Sequence, residues 1–246
     1  EGARVVVNDL DADAAERVAG EIGGHAVAGD VATESGVRAL VTAASDWLGG
    51  AIDAWYGNAG VDCGHGLDAP EDDWAKAIDV NVLAHVRAAR LLVPGWAGRG
   101  GGRFVVTASA AGLLTLLGSP TYSVTKHGAV AFAEWLSATY RHRGVIVQAI
   151  CPLGVNTRML DGSGAMKDVL THDGALEPED VAEAAWAALS DDRFLVLPHQ
   201  AAGDYYRARA ADTDRWLRGM SKLQQNLERS QETERSQEAE RKEDGQ

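Results

Sequence analysis

Short apolar runs alternate with stretches of helical period along most of this chain. The runs fall at Arg4–Val7, Ala26–Ala28, Ile52–Tyr56, Arg103–Thr107, Val145–Ile150 and Phe194–Leu197. Each reads as a strand followed by a turn bearing Gly or Asp. Between them, Val37, Leu40, Val41, Ala44 and Leu48 share one helical face, as do Ala129, Phe132, Ala133, Leu136 and Tyr140. A further helix is predicted from about Ala12, and another from Glu177-Pro178-Glu179-Asp180, where Pro comes early and acids fill the first turn. Strands that alternate with helices need crossover connections. The pattern therefore predicts an α/β fold: a doubly wound parallel sheet, Rossmann-like, covered on both faces.

Two segments depart from this rhythm. Met159 to Leu176 is glycine-rich and weakly periodic, and follows a strand's carboxyl end. It reads either as a mobile lid over a site or as a long surface loop. From Gln224 to Gln246 the chain repeats ERSQE and has almost no apolar residues. Such a segment buries too little surface to offset its ordering entropy, and without an apolar seam it is no coiled coil. The expected organisation is one domain over residues 1–223, then an acidic low-complexity tail, disordered or a solvated helix, over 224–246.

Composition narrows the classes. At 246 residues the chain can bury a large core, and its net charge of −13 disfavours nucleic acid or anionic membrane as partners. No apolar run reaches the roughly 18 residues of a membrane span, and the first residues lack the pattern of a secretory signal. Two cysteines, Cys63 and Cys151, are too few for a disulfide framework, and the seven histidines show no metal-ligand spacing. These features suggest a cytoplasmic protein without a structural metal.

The candidate chemistry begins at Tyr122-Ser123-Val124-Thr125-Lys126. Tyr and Lys four apart on a helix lie one turn from each other on one face. A free phenol, with a pKa near 10, is a poor base at neutral pH, and a neighbouring ammonium favours its ionised form. Alone, such a pair is commonly structural. Here Ser109 lies thirteen residues upstream, at the carboxyl end of a predicted strand, where open parallel sheets place their ligands. Gly57-Asn58-Ala59-Gly60 closes another strand, Asn81 sits in the helix that follows, and Pro152-Leu153-Gly154-Val155-Asn156-Thr157 leaves the Val145–Ile150 run.

Taken together these residues resemble the short-chain dehydrogenase/reductase family over residues 1 to about 220. Ser109, Tyr122 and Lys126 match its catalytic Ser, Tyr and Lys in type and spacing, and Asn81 matches the helix Asn that extends the active-site network. Asn58-Ala59-Gly60 is similar to the family's Asn-Asn-Ala-Gly element, with Gly57 in place of the first Asn. Pro152 to Thr157 is similar to its Pro-Gly-x-Val-x-Thr segment, with Leu153 where Gly is usual and Gly154 beside it. The resemblance implies hydride transfer between a nicotinamide cofactor and a secondary alcohol or ketone. In that scheme Tyr122 is the general acid/base, Lys126 lowers its pKa and holds the nicotinamide ribose, and Ser109 stabilises charge on the substrate oxygen. Asn81 positions a water in a proton relay, and Thr157 orients the carboxamide. A homodimer or homotetramer, built through the long helices after Gly60 and around Tyr122, is also implied.

Asp9 bears on the cofactor. An acid at the end of a dinucleotide fold's second strand accepts hydrogen bonds from the adenosine ribose and repels a 2′-phosphate. Asp9 or Asp11 also suits a helix cap, and the two can divide these roles. No Arg or Lys directly follows Asp9, so NAD is favoured over NADP. Asp30-Val31 resembles the family pair that touches adenine, although a simple turn there explains the same residues. Leu113, Leu114, Leu116, Leu117, Met159 and Leu160 suggest an apolar substrate of polyketide, terpenoid or steroid type, unless they belong to the core.

The chain starts abruptly. The family begins with a strand and a Gly-rich turn, and the ribose acid follows that turn by about 20 residues. Here the acid is residue 9, and neither Gly20–Gly24 nor Gly98–Gly102 precedes it. The sequence thus reads as lacking roughly 25–30 residues that would supply the central first strand of the order 3-2-1-4-5-6-7. The expectation is poor dinucleotide binding and no activity by this chain alone. An NADPH-dependent ketone reductase and a non-catalytic dinucleotide-binding pseudoenzyme are the alternatives.

Overall fold

The computed structural model describes residues 2–163 and 166–244, with side chains to residue 233. Its strands are β1 Val6–Asp9, β2 His25–Ala28, β3 Ala54–Gly57, β4 Gly102–Thr107, β5 Val145–Ile150 and β6 Leu195–Val196. The helices are α1 Ala12–Ile22, α2 Glu34–Leu48, α3 Glu71–Ile78, α4 Ala84–Arg99, α5 Pro120–Tyr140, α6 Arg158–Asp161, α7 Lys167–Leu170, α8 Pro178–Ala187, α9 Gln200–Ala211 and α10 Thr213–Asp244. A π-helical turn, Asp79–Leu83, joins α3 to α4. All six expected strands form. The first starts two residues later than Arg4 and takes in Asn8, whose amide donates across to the carbonyls of Val27 at 2.7 Å and Gly29 at 3.2 Å.

Every strand pair is parallel, in a two-stranded sheet β1-β2 and a four-stranded sheet β3-β4-β5-β6. The parallel pairing, with helices between successive strands, is that of the expected doubly wound, Rossmann-like fold. Among the described residues no strand joins β1 to β3. Instead α2 spans the two halves, packing on β2 and α4.

The central strands are buried on both faces, which is why they read as continuous apolar runs. Phe104 and Val106 of β4 point into the main core with Val145, Val147 and Ala149 of β5, Leu92 and Trp96 of α4, and Ala129, Ala133 and Leu136 of α5. Val105 alternates to the other face and meets Ile150, Val196 and Ala188. Gln148 is polar yet almost fully buried, and its amide N–H groups and its oxygen are all engaged. Its amide donates to the carbonyls of Ala188 at 2.9 Å and Arg193 at 3.0 Å, and its oxygen accepts from Arg103 at 2.7 Å. That network ties β6 and α8 to the sheet. The start of α8 forms as expected, with the Asp180 carboxylate accepting the Glu177 N–H at 2.9 Å. Residues 224–244, given above as a disordered tail or solvated helix, continue α10.

Candidate active site

Asp11, not Asp9, caps α1: its carboxylate accepts from the N–H groups of Asp13 and Ala14. Asp9 ends β1 with an exposed carboxylate that accepts only the Asp11 N–H, at 2.9 Å, among the hydrogen bonds described. After β2, Asp30 accepts the Ala32 N–H at 2.8 Å, the turn role, while Val31 packs against the core. Asn58 and Ala59 lie exposed beyond the carboxyl end of β3.

Gly57 carries an unexpected constraint. A Cβ here would lie 2.5 Å from Nδ1 and 2.7 Å from Cε1 of His85, so the imidazole occupies the space a side chain at 57 would need. His85 is 2 % exposed on α4, and burial holds its pKa down at about 3, assisted by the Lys126 charge. Its Nε2 has no protein partner.

Asn81 lies in the π turn, fully buried. Its oxygen accepts the Val61 N–H, and its amide donates to the Val61 carbonyl and to Thr125 Oγ1, each at 2.9 Å. The side chain therefore braces the loop after Gly60 against α5. Gly60 passes so close that a Cβ would lie 3.2 Å from Lys126 Nζ and 3.4 Å from Asn81 Oδ1.

Ser109 leaves β4 in extended conformation, and its Oγ accepts the Ala111 N–H at 3.1 Å. The same side chain lies near the Tyr122 phenol and favours its ionisation. One turn along α5, Lys126 is 3 % exposed; its ammonium donates to the Thr107 carbonyl at 2.9 Å and sits 5.5 Å from the centre of the Tyr122 ring. The structure thus brings Ser109, Tyr122, Lys126, Asn81 and Gly60 into one cluster at the carboxyl end of the sheet.

The electrostatics differ from the expectation that Lys126 lowers the Tyr122 pKa. Burial pushes the phenol up to about 12, opposed by the neighbouring Ser109 side chain and reinforced by the charge of Asp62. Burial likewise brings Lys126 down to about 8. Desolvation dominates because both groups are enclosed and the ammonium spends its hydrogen bond on a backbone carbonyl.

After β5, Cys151 is fully buried and the Pro152 carbonyl accepts the Ala110 N–H at 2.8 Å. The displaced glycine has a local reason: Gly154 lies against α7, where a Cβ would come 2.5 Å from the Leu170 carbonyl oxygen. Val155 bridges to Leu176, and Thr157 caps α6 through the Leu160 N–H at 3.4 Å. Met159–Leu176 is thus anchored at both ends. Its residues 164–165 lie outside those described. Of the proposed pocket leucines, Leu113 and Leu114 belong to the core and Leu160 is buried, leaving Leu116, Leu117 and Met159 at least partly exposed.

With this geometry the comparisons agree. The family model for short chain dehydrogenases matches residues 1–168. The chain belongs to the short-chain dehydrogenase family. It is 36% identical over 205 residues to a 1-deoxy-11-beta-hydroxypentalenate dehydrogenase of Streptomyces exfoliatus, covering 80% of this chain and 74% of that one. It is 30% identical over 209 residues to a cyclohexanol dehydrogenase of Acinetobacter sp., covering 81% and 83%. Among solved structures, a short chain dehydrogenase/reductase from Burkholderia phymatum in complex with NAD superposes with a TM-score of 0.75, at 28% identity over 86% of this chain and 85% of that one. The chain is accordingly an oxidoreductase of alcohols and their ketones.

Several residues of this site were not legible beforehand. Asp62, His65 and Ser119 form a polar cluster beside Tyr122, and Thr121 Oγ1 donates to the carbonyls of Cys63 and Gly64. Thr125 links Asn81 to α5. Only the closeness of Asp62 and His65 to the Asn58-Ala59-Gly60 element hinted at them in sequence.

Proposed function

We propose that this short-chain dehydrogenase transfers hydride between a secondary alcohol or ketone and NAD, with Tyr122 as the proton-transferring group. The observation that carries the reading is the cluster of Ser109, Tyr122 and Lys126 at the carboxyl end of the sheet, with the buried Lys126 ammonium 5.5 Å from the centre of the Tyr122 ring. The residues fit a nicotinamide dinucleotide at two places. Asp9 presents an exposed carboxylate at the end of β1, suited to ribose hydroxyls, and the exposed Asn58-Ala59 with Gly60 leads to Lys126. Pro152, Gly154, Val155 and Thr157 would line the nicotinamide end. When bound, the nicotinamide supplies the hydride acceptor or donor.

The chain's own residues handle the proton. Tyr122 gives its phenolic proton to the substrate oxygen in reduction and takes it back in oxidation. Ser109 donates a hydrogen bond to that oxygen as charge develops. Lys126 holds a positive charge near the phenolate once formed, and Asn81 fixes the loop and helix that enclose both. Cys63 and Cys151 are free thiols, in keeping with a reducing, cytoplasmic setting. No helix among the described residues is long and apolar enough to cross a membrane.

The test is steady-state oxidation of cyclohexanol-type secondary alcohols with NAD and NADP, by this chain and by the longest natural form of the protein that contains it. Tyr122→Phe is expected to lower kcat by at least about a hundredfold, the usual worth of a general acid/base. Asp9→Ala is expected to narrow the preference for NAD. Full activity of Tyr122→Phe overturns the reading of the mechanism, and an unchanged preference in Asp9→Ala overturns that of the cofactor.

A further inference from the structure

The loop that follows Gly60 folds back over the start of α5, where the Gly66 N–H donates to the Gly118 carbonyl at 2.8 Å. This brings three polar side chains together next to Tyr122. His65 is exposed, and its Nδ1 lies 2.9 Å from Ser119 Oγ. Ser119, 5 % exposed, donates in turn to Asp62 Oδ2 at 3.5 Å. The other carboxylate oxygen, Asp62 Oδ1, is buried with no protein partner. The cluster therefore runs from the surface inward to a carboxylate whose charge reaches the Tyr122 phenol.

Neither a structural nor a nucleophilic role accounts for it. A hydrolytic triad needs the carboxylate on the histidine and the histidine on the serine. Here the carboxylate meets the serine, and that contact is long. As a brace, the arrangement leaves a buried carboxylate oxygen without a donor, a destabilising placement that a hydrogen-bond donor relieves. A bound group that reaches the cluster can supply that donor.

Resting on the oxidoreductase reading above, we propose that Asp62, with Ser119, is a specificity site for a second polar group of the substrate. The substrate class is a secondary alcohol, or its ketone, that carries a hydrogen-bond donor, hydroxyl or ammonium, on an otherwise apolar body. Asp62 accepts that donor, and Ser119 with His65 holds the carboxylate in place. Pairing also offsets the negative charge that opposes ionisation of Tyr122, so the donor assists the reaction as well as binding.

The test uses the full chain with four probes: cyclohexanol, the 1,3- and 1,4-cyclohexanediols, and 4-aminocyclohexanol. A hydrogen bond to a buried charged group corresponds to a preference of about 10- to 100-fold in kcat/KM for the polar alcohols over cyclohexanol. Asp62→Leu should abolish that preference and, because it removes the charge that opposes ionisation of Tyr122, raise rather than lower the oxidation of cyclohexanol. Asp62→Asn keeps the shape and should spare part of the diol preference but lose that for the ammonium, which separates the two kinds of donor. Thermal unfolding confirms that each variant folds, and Asp62→Asn carries the test should Asp62→Leu not fold. Calorimetric binding of the same alcohols to the Tyr122→Phe chain separates the two readings. A binding preference that disappears on altering Asp62 supports this site even where no hydride is transferred, a result that counts against the oxidoreductase reading alone. Equal affinities for all probes, or a preference that survives in the altered chains, overturn it.

Discussion

Lys126 offers the sharpest test of how this site is built. Its ammonium is almost wholly enclosed, its described hydrogen bond goes to the Thr107 carbonyl, and burial moves its pKa from an ordinary 10.5 to about 8. A base whose folded-state pKa is depressed contributes stability that is present above the unfolded pKa and is lost as pH falls. Between pH 10.5 and 8 the unfolded chain takes up a proton that the folded chain refuses. The difference corresponds to about 3 kcal/mol, fully expressed below pH 8.

Replacing Lys126 by Met removes that titration while keeping an unbranched side chain in the space. Urea unfolding of both chains at pH 7 and pH 10 reads the effect. Groups not coupled to Lys126 cancel between the two chains, and His85, which is coupled to it, stays neutral in the folded chain at both pH values. The variant is therefore expected to gain on the parent by about 2–3 kcal/mol more at pH 7 than at pH 10. Its turnover should collapse at the same time, the signature of a group kept for chemistry at the expense of stability. A stability difference that is the same at both pH values refutes the reasoning, because it means that Lys126 is not desolvated in the folded chain.

Other predictions follow from the neighbouring contacts. His85, held neutral down to about pH 3 against an ordinary 6.5, makes the folded chain lose up to about 5 kcal/mol as pH falls from 6.5 to 3; a His85→Leu chain should show a correspondingly flatter acid limb in chemical denaturation, and an unchanged limb sinks the argument. Gly57→Asn drives a side chain into the His85 ring and should destabilise by about 1–3 kcal/mol. Combining it with His85→Ala should recover a large part of that loss, whereas additive effects show that the two positions do not share space.

The fold was legible because the buried parallel strands carry unbroken apolar runs, of which Phe104 to Val106 and Val145 to Ile150 are the clearest. β1 runs past Val7 because the amide of Asn8, which looks like a turn residue, bonds to backbone carbonyls at and just after β2 and keeps it in the strand. Ser109, Tyr122, Lys126 and Asn81 were legible because a helix turn and a strand end fix their spacing. What spacing does not carry is enclosure. Sequence shows that Lys126 neighbours Tyr122, but not that both are desolvated, and so the shift of Tyr122 was expected in the wrong direction. The cluster of Asp62, His65 and Ser119 joins residues more than fifty positions apart through a folded-back loop, with no periodicity to announce it.

The charges around Tyr122 also constrain how the reaction runs. With the phenol at about 12 and the ammonium at about 8, the residues alone keep Tyr122 protonated across the neutral range. That is the form which donates a proton to a ketone oxygen. Alcohol oxidation needs the opposite state, which the Lys126 ammonium 5.5 Å from the ring favours and the charge of Asp62 opposes. A substrate donor that pairs with Asp62 removes part of this opposition at the moment the site fills. Discrimination among alcohols and activation of the tyrosine then depend on the same contact, so a substrate without the second donor should lose kcat as well as affinity. In a purely steric pocket the loss would fall on affinity alone.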